Sequence, residues 1–336
     1  MNALQITATG ALENLRNARV AKPVLKTGEA LIRVKAAGVN SSDAANVLGW
    51  MPGTPPLRIP GRDFAGEVVE ASDPAANDWV GAEVWGTGGA RGFAEDGTFA
   101  EYLKVPIAGL SRKPRTLDNA RAASISLPWL CAWITTVTLG KVEAGQNVVI
   151  IGVNGAIGAA AAQLCKARGA ASIFGTYRSP PTTPVPPYIT PIVLSTSESP
   201  HPIRTELEKY GLLNKVDVLL DCAGYEDPFN DALGAMNDSG SGRVVVMAVH
   251  RKDGMFQVDL RTLYMRALKL LGMKSSMLSQ PEVKEVLDYV AGKFDRGEFT
   301  VEGKVAEVSM WDEEKVREAL DKVLKGTAGG RTVFVP

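Results

Sequence analysis

The run VVIIGVNGAIGAAAAQL over residues 148–164 carries the densest chemistry in the chain. Gly152, Gly155 and Gly158 follow an apolar strand-like stretch and precede an alanine-rich helical one that stops at Arg168-Gly169. Glycine at these places permits a tight turn, lets backbone approach a pyrophosphate and lets the helix pack on the strand. The free N–H groups of the first helical turn then attract the anion. Gly152, Asn154, Gly155, Ala156, Ile157 and Gly158 are therefore the expected grip on a dinucleotide. The glycine spacing alone also suits a purely structural turn; the strand, helix and second strand in order around it favour the nucleotide.

Cofactor choice turns on the tip of that second strand, where NAD sites place a carboxylate for the ribose hydroxyl. This chain offers Gly175, Thr176, Tyr177, Arg178 and Ser179 instead. One guanidinium and no acid suit a 2′-phosphate, because Arg can make a charge-assisted bidentate contact. The expected cofactor is NADPH, touched by Thr176, Tyr177 and Arg178. The plainer alternative is a solvated Arg178 with no ligand.

The elements that must position this turn fall into two styles. Residues 30–36 alternate apolar and charged, and strand-like runs recur at 64–69, 80–84 and 98–105 between glycine-rich turns, so the first 110 residues read as mostly β. From 148 onward, wholly apolar runs at 171–174, 216–220, 244–248 and 268–271 alternate with helical spacers, the pattern of a parallel sheet covered on both faces. Two amphipathic helices follow, with stripes at Val283, Val286, Leu287 and Val290, and at Val316, Leu320, Val323 and Leu324. A last strand is expected at 332–335. Seven prolines between Ser179 and Pro202 predict an irregular loop where a crossover helix would normally sit.

Composition removes several function classes. The 336 residues suit about two domains, and 37 Lys plus Arg against 37 Asp plus Glu leave no net field for a nucleic acid or an anionic membrane. Three distant cysteines, Cys131, Cys165 and Cys222, build neither a disulfide framework nor a zinc lobe and fit a reducing compartment. Residues 1–9 lack the basic and apolar regions of a signal peptide, and 148–164 is too short and glycine-broken for a bilayer span. A cytoplasmic protein with a small-molecule substrate is expected.

A resemblance extends over nearly the whole length. AAGVNSSDAANVLG at 36–49, IPGRDFAGEVVEA at 59–71, GTFAEYLKVP at 97–106, the glycine turn, VDVLLDCAG at 216–224 and the closing GGRTVFVP are similar to the medium-chain dehydrogenase/reductase superfamily, in its zinc-independent quinone oxidoreductase and enoyl reductase branch. The resemblance implies an α/β chain. Its expected parts are a chaperonin-10 (GroES)-like, mostly-β catalytic domain over 1–122, a Rossmann doubly wound parallel-sheet domain over 123–273, and a return to the catalytic domain over 274–336. It also implies a homodimer, substrate in the interdomain cleft, a cofactor contact from Asn40, and Cys222, Ala248 and Val249 lining the nicotinamide end. His250 follows directly and either reaches that end or is a solvated loop histidine.

Departures from the family bear on mechanism. Zinc-dependent members carry a cysteine where this chain has Asn40 and a His-Glu pair where it has Arg62-Asp63, and neither Asn nor Arg supplies thiolate or imidazole. No metal is expected. An ion pair between Asp43 and Arg62 is expected to brace the site instead, since a buried arginine without a partner is costly. Without a Lewis acid, conjugated acceptors (a quinone, enone or enoyl thioester) are easier than simple ketones, because the added charge spreads over a phenolate or enolate. Asn40 and Ser42 are the candidate catalytic donors; Asn40 alternatively caps a turn. The expected activity is an NADPH-dependent reductase of conjugated carbonyls. The alternatives are a carbonyl reductase or alcohol dehydrogenase of the same superfamily, or an idle NADPH-binding module.

Overall fold

A computed structural model describes residues 1–51, 53–249, 254–301 and 303–336. The chain divides into two compact units, Met1–Leu130 with Ser275–Pro336, and Cys131–Lys274.

The first unit opens with the antiparallel pair β1 (Asn2–Ile6) and β2 (Leu15–Arg19). The alternating run becomes β3 (Glu29–Gly38), which leads into the short helix α1 (Ser41–Val47). After it come β4 (Asp63–Ala71), β5 (Glu83–Gly86), β6 (Tyr102–Pro106) and β7 (Ser111–Arg112). Two of these strands sit later than the sequence pattern suggests. Residues 80–82 form the turn before β5, with Gly81 donating to the Val68 carbonyl, and 98–101 bond to other segments before β6 begins. Helices α2 (Asn119–Ala123) and α3 (Ser126–Trp133) close this stretch.

The second unit is a Rossmann sheet. Its strands are β8 (Asn147–Ile151), β9 (Ser172–Tyr177), β10 (Thr190–Val193), β11 (Val218–Asp221), β12 (Arg243–Val246) and β13 (Lys269–Gly272). They pair in the order β10-β9-β8-β11-β12-β13, all parallel. Order reverses on either side of β8, the place where doubly wound sheets bind ligands outside the carboxyl ends of their strands. Helices α4 (Ala156–Ala167), α5 (Pro202–Lys209), α6 (Glu226–Leu233) and α7 (Leu260–Met265) intervene. Apolar faces of both layers meet in a core that includes Val149, Phe174, Leu219, Phe229 and Val244.

The proline-rich segment corrects the expectation of an irregular loop throughout. Its residues 190–193 are β10, the outermost strand, and Pro202 opens α5. Proline is tolerated in an edge strand, where its missing N–H faces no neighbour, and at a first helical turn, whose donors are unpaired anyway.

The chain then returns to the first unit through α8 (Gln280–Asp295), β14 (Val305–Ser309), α9 (Glu313–Lys325) and β15 (Arg331–Val335). There the sheet runs β14-β15-β3-β4-β5-β7, with β6 also on β3. Val316 and Leu320 of α9 join Ile32, Phe64, Phe99 and Phe334 in its core. Among the described residues no helix is long and apolar enough to cross a membrane.

Candidate active site

Two constellations, one in each unit, hold the residues that the sequence singles out. In the second unit the glycine turn joins β8 to α4. Gly152 has φ +76°, a left-handed conformation that costs a residue with a side chain about 1–2 kcal/mol. Its N–H donates to Thr176 Oγ at 2.9 Å, and Val153 N–H to the Thr176 carbonyl at 3.2 Å, so β9 holds the turn in place. Gly155 is the N-cap of α4, exposed and without a side-chain cap. Its helix therefore presents first-turn N–H groups that no side chain of its own covers. A β-carbon on Gly158 would stand 2.3 Å from the Gly152 carbonyl oxygen, so helix and turn approach as closely as only glycine allows. Asn154 and Ala156 are exposed beside it and Ile157 is half-buried. An open N-terminus walled by glycine fits a diphosphate.

Thr176 and Tyr177 are both buried; the hydroxyl of Thr176 positions the turn, and burial pushes the Tyr177 phenol up. Arg178 is exposed just past β9, and its carbonyl accepts from Ser195 N–H at 3.1 Å. Cys222 follows β11 half-buried, its thiol pushed up chiefly by burial. Ala248 and exposed Val249 follow β12, the next strand of the sheet. His250 lies outside the described residues. The other histidine, His201, precedes α5 with Nδ1 3.8 Å from Asp231 Oδ1.

Sequence reasoning missed Asp221, the buried last residue of β11. Its Oδ1 accepts from Ala223 N–H at 3.0 Å and Gly224 N–H at 2.9 Å, fixing the Cys222–Gly224 turn, while burial raises its pKa. An acid two residues before Ala-Gly at a strand end is the signal that would have found it.

In the first unit Asn40 precedes α1. Its backbone N–H donates to Asp43 Oδ2 at 2.8 Å, and its Nδ2 to Asp63 Oδ2 at 3.0 Å. The turn-capping reading of Asn40 is thus present in the geometry, with its amide tied to an acid as well. Ser42 Oγ is buried with no hydrogen-bond partner among the described residues. Asp63 also accepts from Leu127 N–H at 3.2 Å. Burial pushes Asp43 up to about 7 and Asp63 up to about 6.

Arg62 corrects an expectation. It makes no ion pair with Asp43; its Nη1 donates to Ser275 Oγ at 3.0 Å and its guanidinium lies 5.3 Å from the Phe93 ring centre. The acid is already committed to the helix cap, so its near oxygen points at Asn40 N–H and the arginine acts on it only through space. A second buried arginine, Arg91, was also missed, although it is the one charge in WGTGGARGF.

Zinc does not fit this donor set. The groups at the relevant positions are an amide, a guanidinium and one carboxylate, which offer no thiolate or imidazole. Among the described residues no three His, Cys, Asp or Glu side chains gather to hold a metal.

The comparisons with known proteins agree with this architecture. Residues 26–115 match the alcohol dehydrogenase GroES-like domain. A zinc-type alcohol dehydrogenase-like protein of Schizosaccharomyces pombe is 32% identical over 295 residues, 87% of this chain and 84% of that one. Human quinone oxidoreductase is 30% identical over 178 residues, 52% of each chain. An alcohol dehydrogenase superfamily protein from Novosphingobium aromaticivorans superposes with a TM-score of 0.82 over 100% of this chain and 99% of its own, at 24% identity. The chain belongs to the medium-chain dehydrogenase/reductase superfamily, with its GroES-like and Rossmann parts. It is an oxidoreductase of that superfamily, whose members use nicotinamide cofactors.

Proposed function

We propose that the protein is an NADPH-dependent reductase, needing no metal, that acts on a conjugated carbonyl: a quinone, an enone or an enoyl thioester. The observation that carries this reading is the glycine-walled, uncapped N-terminus of α4 beside a strand end that bears Arg178 and no acid. When bound, NADPH supplies a hydride. The first-turn N–H groups of α4 receive the diphosphate, and Arg178 receives the 2′-phosphate. Thr176 and Asp221 hold the two turns that shape the nucleotide's seat. Cys222, Ala248 and Val249 line the nicotinamide end by family likeness, and Asn40 meets the cofactor with an amide that Asp63 orients. Ser42 or solvent supplies the proton.

The donor set favours conjugated acceptors. A cluster with no metal ligands leaves an isolated alkoxide without a strong Lewis acid, whereas a phenolate or enolate spreads its charge and needs only hydrogen bonds. The second reading, a carbonyl reductase or alcohol dehydrogenase, is favoured by the name of the yeast relative. Loss of NADPH absorbance with a panel of quinones, enones, enoyl thioesters and simple ketones tests the choice. Turnover confined to the conjugated acceptors is expected. Turnover confined to ketones moves the protein to the second reading, and tight NADPH binding with no turnover at all makes it an idle nucleotide-binding module.

A further inference from the structure

Arg62 and Arg91 are each only 4% exposed. A guanidinium carries five N–H donors and stays charged. Yet the pair finds one hydrogen-bond acceptor among the described residues, Ser275 Oγ. Among the described residues neither arginine has a carboxylate oxygen within the 4.0 Å of an ion pair. Arg62 Nε and Arg91 Nη1 are sealed from solvent with no acceptor among the described residues. Each arginine lies over an aromatic ring, Arg62 Cζ 5.3 Å from the Phe93 ring centre and Arg91 Cζ 5.4 Å from that of Phe64.

The two cations share one neighbourhood. A β-carbon on Gly92 would lie 2.7 Å from the Gly61 carbonyl oxygen, so the backbones next to the two arginines meet at Gly61 and Gly92. Glu95 acts on Arg91 through space, Asp63 acts on both cations, and each arginine repels the other. Thr98 Oγ adds a further buried polar atom without a hydrogen-bond partner among the described residues. Buried polar groups in folded proteins are overwhelmingly hydrogen-bonded. Two adjacent guanidinium groups with unmade N–H bonds call for an anion whose oxygens match a planar fork.

We propose that Arg62 and Arg91 together bind a carboxylate, each guanidinium donating to its oxygens.

Calorimetric titration of the full chain with sodium benzoate at low chloride, without nucleotide, tests the site. Benzoate should bind saturably, benzamide of the same shape should not, and Arg62→Met and Arg91→Met should each weaken benzoate at least about tenfold, the loss of one charge-assisted bond. Arg62→Lys and Arg91→Lys keep the charge but lose the fork; they should weaken it about threefold, and they carry the test if a methionine variant fails to fold. No benzoate binding, equal binding by all variants, or equal binding of benzamide overturns the proposal and leaves buried water as the partner of these arginines. NADPH titration of the same samples separates the two ideas. Nucleotide binding without benzoate binding sinks the anion site alone. Arginine-dependent benzoate binding without nucleotide binding sinks the reductase reading alone.

Discussion

Gly158 lies so close beneath Gly152 that a β-carbon on it would meet the Gly152 carbonyl oxygen at 2.3 Å and the Val153 α-carbon at 2.8 Å. Both neighbours are backbone, so neither can rotate away. Gly158→Ala must push α4 off the turn. It should cost about 1–3 kcal/mol of stability, the range for overpacking a tight site, and weaken NADPH at least about tenfold. Thermal unfolding and fluorescence titration measure the two effects. A destabilised variant with unchanged nucleotide affinity would show that the turn has a purely structural role.

Arg178 stands exposed at the end of β9. Arg178→Ala should weaken NADPH by about 1.5–3 kcal/mol, roughly 10- to 150-fold, as expected for a lost hydrogen bond to a charged group. NADH, which lacks the 2′-phosphate, should change less than about twofold on the same argument. Parallel titrations with both nucleotides decide the matter, and an unaltered preference removes Arg178 from cofactor choice.

Asp43 and Asp63 make stability depend on pH with a definite sign. An unfolded carboxyl titrates near pH 4, whereas burial pushes these two up to about 7 and about 6. The folded protein therefore holds their protons more tightly. The contribution is complete below about pH 4 and is lost as pH rises through about 6 to 7. Asp43→Asn keeps an oxygen for the Asn40 N–H and removes the titration. Wild type should thus fall by a few degrees, roughly, in Tm relative to Asp43→Asn between pH 4.5 and 8. A relative rise would mean that the acid is ionised and stabilised in the folded state.

Chelation should leave activity unchanged, and purified protein should carry far less than stoichiometric zinc, because an amide and a guanidinium occupy the positions where zinc members place ligands. Elemental analysis together with activity lost on chelation and restored by zinc would refute this.

Much of the architecture was legible because it rests on local pattern. The alternation that becomes β3, the apolar runs of the parallel sheet, and the stripes of α8 and α9 each report which face of an element is buried, and periodicity encodes that directly. The glycine turn was equally readable, since its conformation and close approach leave no room for a side chain. The short strand β10 was not. Its prolines argue against regular structure, and only its place at the sheet edge makes them tolerable.

What tertiary structure alone decided is who pairs with whom. Asp43 lies nineteen residues before Arg62 in sequence and invites an ion pair on charge alone, but a cap three residues away had already taken its oxygen. Arg91 reads as one charge in a glycine-rich loop until the stacking of Gly92 on Gly61 brings it beside Arg62. Local sequence specifies each segment's own conformation; the partners of a buried charge depend on segments distant in the chain, and only the folded chain brings them together.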